Sequence, residues 1–202
     1  MRLWIAAVIV FFGTAAMGSA QVAEVAVTGG WGVFTDSTVG TLGFGSDLPE
    51  LKVDNGVRIG GRLSMNRWFL GHEISYAWQK THLKSVIGTG SEDIGSMSIQ
   101  NFYYNFVVHA TPEGTAIRPF VTGGAGVSTF FPPGVSSLSG SGNNKFGFNY
   151  GGGVKFRLTD KFGLRMDVRD HVTGRPFGNL GVNTLDGKFH NIEFSVGFAL
   201  LL

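Results

Sequence analysis

Cysteine is absent from the 202 residues, which excludes disulfide frameworks, thiolate metal sites and cysteine nucleophiles. Charge is scarce as well. Only 15% of the residues are Asp, Glu, Lys or Arg, against about 25% in an ordinary soluble domain. The 16 basic and 14 acidic residues leave a formal net charge of +2, and no polybasic tract concentrates it. Nucleic acid is therefore excluded as a partner, because phosphate binding needs a concentrated basic face. Beyond the first twenty residues no apolar run approaches the roughly 20 residues that a membrane-spanning helix needs. What is present instead is glycine (32 residues), phenylalanine (18) and a 13% share of aromatics. Such a chain has to enclose or embed a large apolar surface.

Residues 1–20 read as an export signal. Arg2 forms the positive head, Leu3 to Phe12 is almost unbroken apolar sequence, and Gly18-Ser19-Ala20 offers the small residues of a cleavage site. The apolar stretch ends near Met17, too early for a spanning helix. The domain then runs from Gln21 to Leu202.

Period-two alternation dominates this domain, the mark of strands with one apolar and one polar or small face. Eight such segments are expected, each near the roughly 9–11 residues that cross a bilayer at a tilt. In the last, Ile192, Phe194, Val196, Phe198 and Leu200 alternate with Asn191, Glu193, Ser195, Gly197 and Ala199. In the seventh, Phe162, Leu164, Met166 and Val168 alternate with Gly163, Arg165, Asp167 and Arg169. The connections alternate long and short. Long loops are expected at about Thr35–Asn55, Lys80–Gly95, Pro132–Asn144 and Gly174–Gly187, and short turns at Asn66-Arg67, Thr111–Thr115 and Thr159-Asp160. The fold class is thus all-β, an eight-stranded antiparallel up-and-down transmembrane barrel with short periplasmic turns and long outer loops.

A soluble barrel of the lipocalin type would share the strand pattern, and Gly29-Gly30-Trp31 matches its loose Gly-x-Trp sign. Polarity decides between the two, because a membrane barrel turns its apolar face outward. Charges of both signs stand at mid-strand on the polar face: Arg58, Arg62, Glu73, Arg118, Lys155, Arg165, Asp167, Arg169 and Glu193. An eight-stranded barrel is only wide enough for side chains, so long charged residues need small neighbours, and Gly151 and Gly153 are expected beside Arg165, Asp167 and Arg169. On the opposite face, Trp68, Phe156 and Phe162 lie by the short turns, and Tyr76, Trp78, Phe146 and Phe148 lie toward the long loops. These form two aromatic belts at the membrane interfaces. His72 interrupts the lipid face between Leu70 and Ile74, and Pro119 removes a ladder donor near a turn.

With these residues in hand, the chain resembles the small eight-stranded outer-membrane barrels of the OmpA/OmpX type, within the broad outer-membrane β-barrel domain family. The likeness runs from Val22 to Leu202. It rests on Glu24 to Phe34, Arg118-Pro119-Phe120, Tyr150–Lys155 and Gly163–Thr173. It implies a monomer in the outer membrane of a Gram-negative cell. The implied partners are outer-membrane lipids and, during biogenesis, periplasmic chaperones and the barrel-assembly machinery. No cofactor is implied. Such barrels usually end in Phe; this chain ends Leu200-Leu201-Leu202, with Phe198 four residues earlier, which bears on assembly rather than fold.

The lumen charges read first as a salt-bridged plug, since buried charges need partners. Glu73 is expected beside Arg58, and Asp167 and Glu193 are expected to accept from Arg165, Arg169 and Arg118. The alternative is a narrow pore for ions or small solutes. A lipid-modifying enzyme is the remote reading: His72, His82, His109, His171 and His190 are dispersed, and Asp170-His171 has no evident serine nucleophile. The same dispersal argues against a metal site. The runs Gly29-Gly30, Gly123-Gly124 and Gly151–Gly153 lie within strands, so they are not phosphate loops. The long loops can carry an extracellular ligand whose identity the sequence does not give.

Overall fold

The computed structural model describes residues 22–41, 49–134, 143–176 and 187–202. The expected export signal and its cleavage site lie outside the described residues, as do segments of three outer loops.

Ten strands form among the described residues: β1 (Val22–Phe34), β2 (Thr38–Thr41), β3 (Glu50–Val53), β4 (Gly56–Arg67), β5 (Leu70–Ile87), β6 (Gly90–His109), β7 (Ile117–Phe131), β8 (Asn143–Arg157), β9 (Phe162–Gly174) and β10 (Lys188–Leu201). All pairings are antiparallel. The ring runs β1–β4–β5–β6–β7–β8–β9–β10 and closes between β10 and β1. Closure matters because each unpaired backbone group in hydrocarbon costs several kcal/mol, and a ring leaves no edge.

The two strands outside the ring correct the expected loop one. β2 pairs with β3, and β3 pairs with the far end of β5 through Val53↔Leu83 to Glu50↔Val86. The expected loop Lys80–Gly95 is also strand. β5 and β6 continue past the ring as a hairpin closed by Gly88-Thr89, with Gly88 at φ 57°, the left-handed conformation that a two-residue hairpin turn demands. Above Lys80, β5 no longer has β4 beside it; β3 takes that place. A four-stranded sheet β2–β3–β5–β6 therefore stands beyond the barrel rim.

One short turn is shifted. The β4–β5 turn falls at Trp68-Phe69 rather than Asn66-Arg67. Trp68 is thus a turn residue, not the first residue of a strand, and it holds φ at 56°, a conformation costing a non-glycine residue roughly 1–2 kcal/mol.

Orientation follows the alternation. Phe198 on β10 is 70% exposed and Val27 opposite it on β1 is 63% exposed, whereas Arg165 on β9 is fully enclosed. The buried interior of this molecule is the barrel lumen. Glycine lets the wall close there: a Cβ on Gly30 would run into the backbone carbonyl of Phe194 on β10.

Candidate functional site: the closed lumen

The inward positions of the ring strands stack in layers. Nearest the short turns, Lys155 Nζ on β8 lies 2.5 Å from Glu24 Oε2 on β1. The Phe120 ring packs between cations, its centroid 5.6 Å from Lys155 Nζ and 5.4 Å from the Arg165 guanidinium. Arg118 sits at this mouth and donates to the carbonyls of Thr111 and Trp68. A cavity of about 180 Å³, lined in part by Glu24, Glu113, Arg118 and Lys155, opens there.

Above it lies a dense ion-pair network. Arg165 reaches Glu73 (3.0 Å), Asp167 (2.9 Å) and Glu24 (3.4 Å). Arg169 reaches Glu73 (2.8 Å) and Asp167 (3.2 Å). Arg62 reaches Asp167 (3.0 Å) and Glu193 (2.7 Å). Arg58 Nη2 is 3.0 Å from Glu193 Oε2, which is also 2.9 Å from His171 Nε2. Strand geometry makes this possible: Gly151 stands opposite Arg169 and Gly153 opposite Asp167, so two neighbouring wall positions send nothing into the lumen. Shared acceptors also lower the ordering cost of each bridge, because one side chain fixes its several partners together.

Next comes a layer of neutral polar groups and aromatic rings. Tyr103 Oη is 2.9 Å from Ser128 Oγ, Ser128 donates to Asn101 Oδ1, and Asn191 donates to Gln79 Oε1. The Tyr103 and His171 rings meet edge to face at 5.0 Å.

The outermost layer is apolar. Phe34, Val39, Leu51, Val53, Leu83, Met97, Ile99, Phe130 and Phe189 form one buried cluster. Phe34 stacks on Phe189 at 4.9 Å, and Phe130 meets Phe189 at 6.0 Å. Val39 of β2 and Leu51 and Val53 of β3 belong to this cluster. The extra hairpin therefore caps the barrel mouth.

All nine lumen charges named from the sequence are buried. The structure brings Arg58, Arg62, Glu73, Arg165, Asp167, Arg169 and Glu193 together, joins Lys155 to them through Glu24, and leaves Arg118 on backbone carbonyls. The expected partners change in detail. Glu73 stands opposite Ser64, not Arg58, which stands opposite Gln79. Glu193 receives Arg58, Arg62 and His171 rather than Arg165 and Arg169. Glu24 and His171 were missed. Glu24 falls in phase with Ala26, Thr28 and Gly30, so the alternation already carried it; His171 shares the inward phase of Arg165, Asp167 and Arg169.

The outer surface carries the expected aromatics. Tyr76, Trp78, Phe146 and Phe148 face outward at the long-loop ends, and Phe156 and Phe162 at the short-turn end, below which Trp68 projects from its turn. His72, anomalous on the lipid face, has its Nδ1 2.6 Å from Tyr104 Oη and its ring against Phe106. Higher on that face, Asp170 Oδ2 lies 2.8 Å from His190 Nδ1 and receives the Tyr150 hydroxyl at 2.8 Å. Among the described residues no serine or threonine hydroxyl bonds His190.

An antiparallel ring with apolar residues outside and ions inside defines a transmembrane β-barrel protein. The chain belongs to the outer membrane protein beta-barrel domain family, whose model matches residues 4–199, and this places it in the bacterial outer membrane. Its structure is similar to Neisserial surface protein A (TM-score 0.57, 15% identity, covering 89% of this chain and 96% of that one). It is also similar to the N-terminal β-barrel domain of Pseudomonas aeruginosa OprF (TM-score 0.53, 12% identity, 90% and 97% covered). At such identities the likeness is one of fold. Comparison with curated proteins finds no match.

Proposed function

We propose that this protein is a closed, non-enzymatic, monomeric barrel that works as a structural and surface-interaction element of the outer membrane. The observation that carries the reading is closure at two levels: the ion-pair network fills the middle of the lumen, and the apolar cluster roofed by β2 and β3 fills its outer mouth. An ion crossing the barrel would have to displace paired charges and then pass an apolar cluster whose few enclosed polar neighbours, such as Thr81 and Thr173, are too sparse to replace its water. The surface role rests on the β2–β3–β5–β6 sheet beyond the rim, whose far end exposes Ile87 and Ile94. Lipids contact the outward apolar face, and the assembly machinery and its chaperones are partners during insertion only.

The test is conductance of the purified, folded barrel in planar bilayers. The expected result is silence; steady unitary steps would establish the narrow pore instead. Release of fatty acid from liposomes containing outer-leaflet glycolipid would overturn the non-enzymatic reading.

A further inference from the structure

The lumen ions do not balance. In the ion-pair network five cations, Arg58, Arg62, Lys155, Arg165 and Arg169, meet four carboxylates, Glu24, Glu73, Asp167 and Glu193; Arg118, held on backbone carbonyls at the turn-end mouth, stands outside it. An uncompensated charge in an enclosed lumen is expensive. The excess has a place to be answered. Arg58 is buried and spends Nη2 on Glu193, while its Nε and Nη1 are enclosed and have no hydrogen-bond partner.

The groups at the same level are unspent in the same sense. Asn149 stands opposite His171, and Gln79 stands opposite Arg58. Asn149 Nδ2, Gln79 Nε2 and Asn101 Nδ2 are enclosed without partners, as are the acceptor oxygens Asn149 Oδ1 and Asn191 Oδ1. As placed, two of these amides present N–H, because Gln79 Oε1 and Asn101 Oδ1 accept bonds from Asn191 and Ser128. The competing carboxylate, Glu193, is occupied on both oxygens, by Arg62 on Oε1 and by Arg58 and His171 on Oε2. Large side chains at this level lie along the wall. Tyr103 covers Gly126 and Gly147, where a Cβ would meet its ring and hydroxyl at 2.7 Å, and the Gln79 amide covers Gly32.

We infer that the lumen binds a small monovalent anion of chloride's size against Arg58 Nε and Nη1, beneath the apolar cap and above the ion-pair network. Water would satisfy the amides but leave the extra cation unanswered; an anion answers the cation and the N–H groups, and leaves the Asn149 and Asn191 carbonyls to water. The cap seals the site from the outer side, so the anion is taken up as the barrel folds.

The test is refolding of the whole mature chain from denaturant in halide-free sodium gluconate, then in chloride or bromide at equal ionic strength. Thermal midpoints are read from the heat-modifiable band on a gel. Binding predicts a saturable rise in chloride and in bromide, of roughly 5–10 °C at a hundredfold excess over Kd. Arg58→Met is expected to abolish the increment. Should that variant not fold, Asn149→Asp, which puts a carboxylate at the same level, serves instead. Crystals grown from bromide should show an anomalous peak within hydrogen-bond reach of Arg58. Equal midpoints in gluconate and chloride, a halide increment that survives in the variant, or bromide-grown crystals without that peak would each overturn the site and assign the layer to water.

Discussion

Arg62 on β4 and Glu193 on β10 meet at 2.7 Å across the intervening strand β1. Glu193 also receives Arg58 at 3.0 Å, so one carboxylate holds two guanidiniums. Glu193→Ala therefore strands two cations in the lumen at once. Removing one partner of a buried pair costs about 3–5 kcal/mol, and the loss here is expected at the upper end. The check is the urea midpoint of the refolded barrel together with the temperature at which its compact gel band is lost. An Arg58→Met, Glu193→Leu double variant still leaves Arg62 with Asp167 and should recover much of the loss. If it recovers none, shape rather than charge dominates this part of the lumen.

The apolar cap makes a different demand. Phe189 is enclosed, stacks on Phe34 and contacts Phe130. Phe189→Ala is expected to cost about 3–5 kcal/mol, a transfer loss plus a cavity. The variant should nonetheless stay silent in planar bilayers, since the ion pairs below it are untouched. Unitary conductance in this variant alone would make the cap the only seal and the network permeable.

The reach of the sequence can be judged from particular residues. The ring was legible because hydrocarbon outside and ions inside impose a strict two-residue period, as at Leu164, Arg165, Met166 and Asp167. The β5 and β6 extensions were not, because the outward residues there, Lys80, His82 and Lys84, meet water rather than lipid, and the inward Thr81 and Leu83 alone make no apolar rhythm. The cap was hidden for the opposite reason. Phe34, Met97, Phe130 and Phe189 are apolar on the face that elsewhere carries charge, and only the arrival of Val39, Leu51 and Val53 from loop one gives them an apolar setting. Pairing inside the lumen was misjudged because nearest neighbours along a hairpin were preferred, whereas Arg62 and Glu193 join across a strand.

The hairpin that roofs the mouth is tied to the base of the fourth outer loop. Arg175 donates to the carbonyl of Thr38 and to Asp36 Oδ2. Partial burial pushes the Asp36 carboxyl up, but the Arg175 hydrogen bond, the Thr38 amide and the nearby positive charge outweigh it and hold the group below its ordinary value of 3.8. A carboxylate with a depressed folded-state pKa stabilises the fold above the unfolded value, and the contribution fades as pH falls through the folded value. Asp36→Asn should therefore speed hydrogen exchange of the Thr38–Thr41 amides at pH 7, after correction for intrinsic rates. The difference from the wild type should shrink as pH falls below 3.8 and vanish once the Asp36 carboxyl is protonated in the folded barrel. Asp36 is half-exposed, although Arg175 is largely enclosed, so the effect is small, at most about 1 kcal/mol. A gap that persists at low pH would show that the side chain acts by shape rather than by charge.

His72 offers the last test, on the lipid side. A polar ring facing acyl chains is costly unless its hydrogen-bonding capacity is met. Tyr104 Oη meets its Nδ1 at 2.6 Å, and Phe106 covers the ring at 5.0 Å. Tyr104→Phe removes one hydroxyl and leaves an imidazole nitrogen facing hydrocarbon, which is expected to lower stability by about 1–3 kcal/mol. His72→Leu alone strands the Tyr104 hydroxyl and should cost a similar amount. The two changes together replace a satisfied polar pair with an apolar one of similar shape, and the double variant should return to within about 1 kcal/mol of the wild type. The measurement is a double-mutant cycle of urea unfolding in lipid vesicles, where the outer face meets true acyl chains. Additive losses in the double variant would mean that the two rings act separately and that the bond between them contributes nothing to holding β5 against β6.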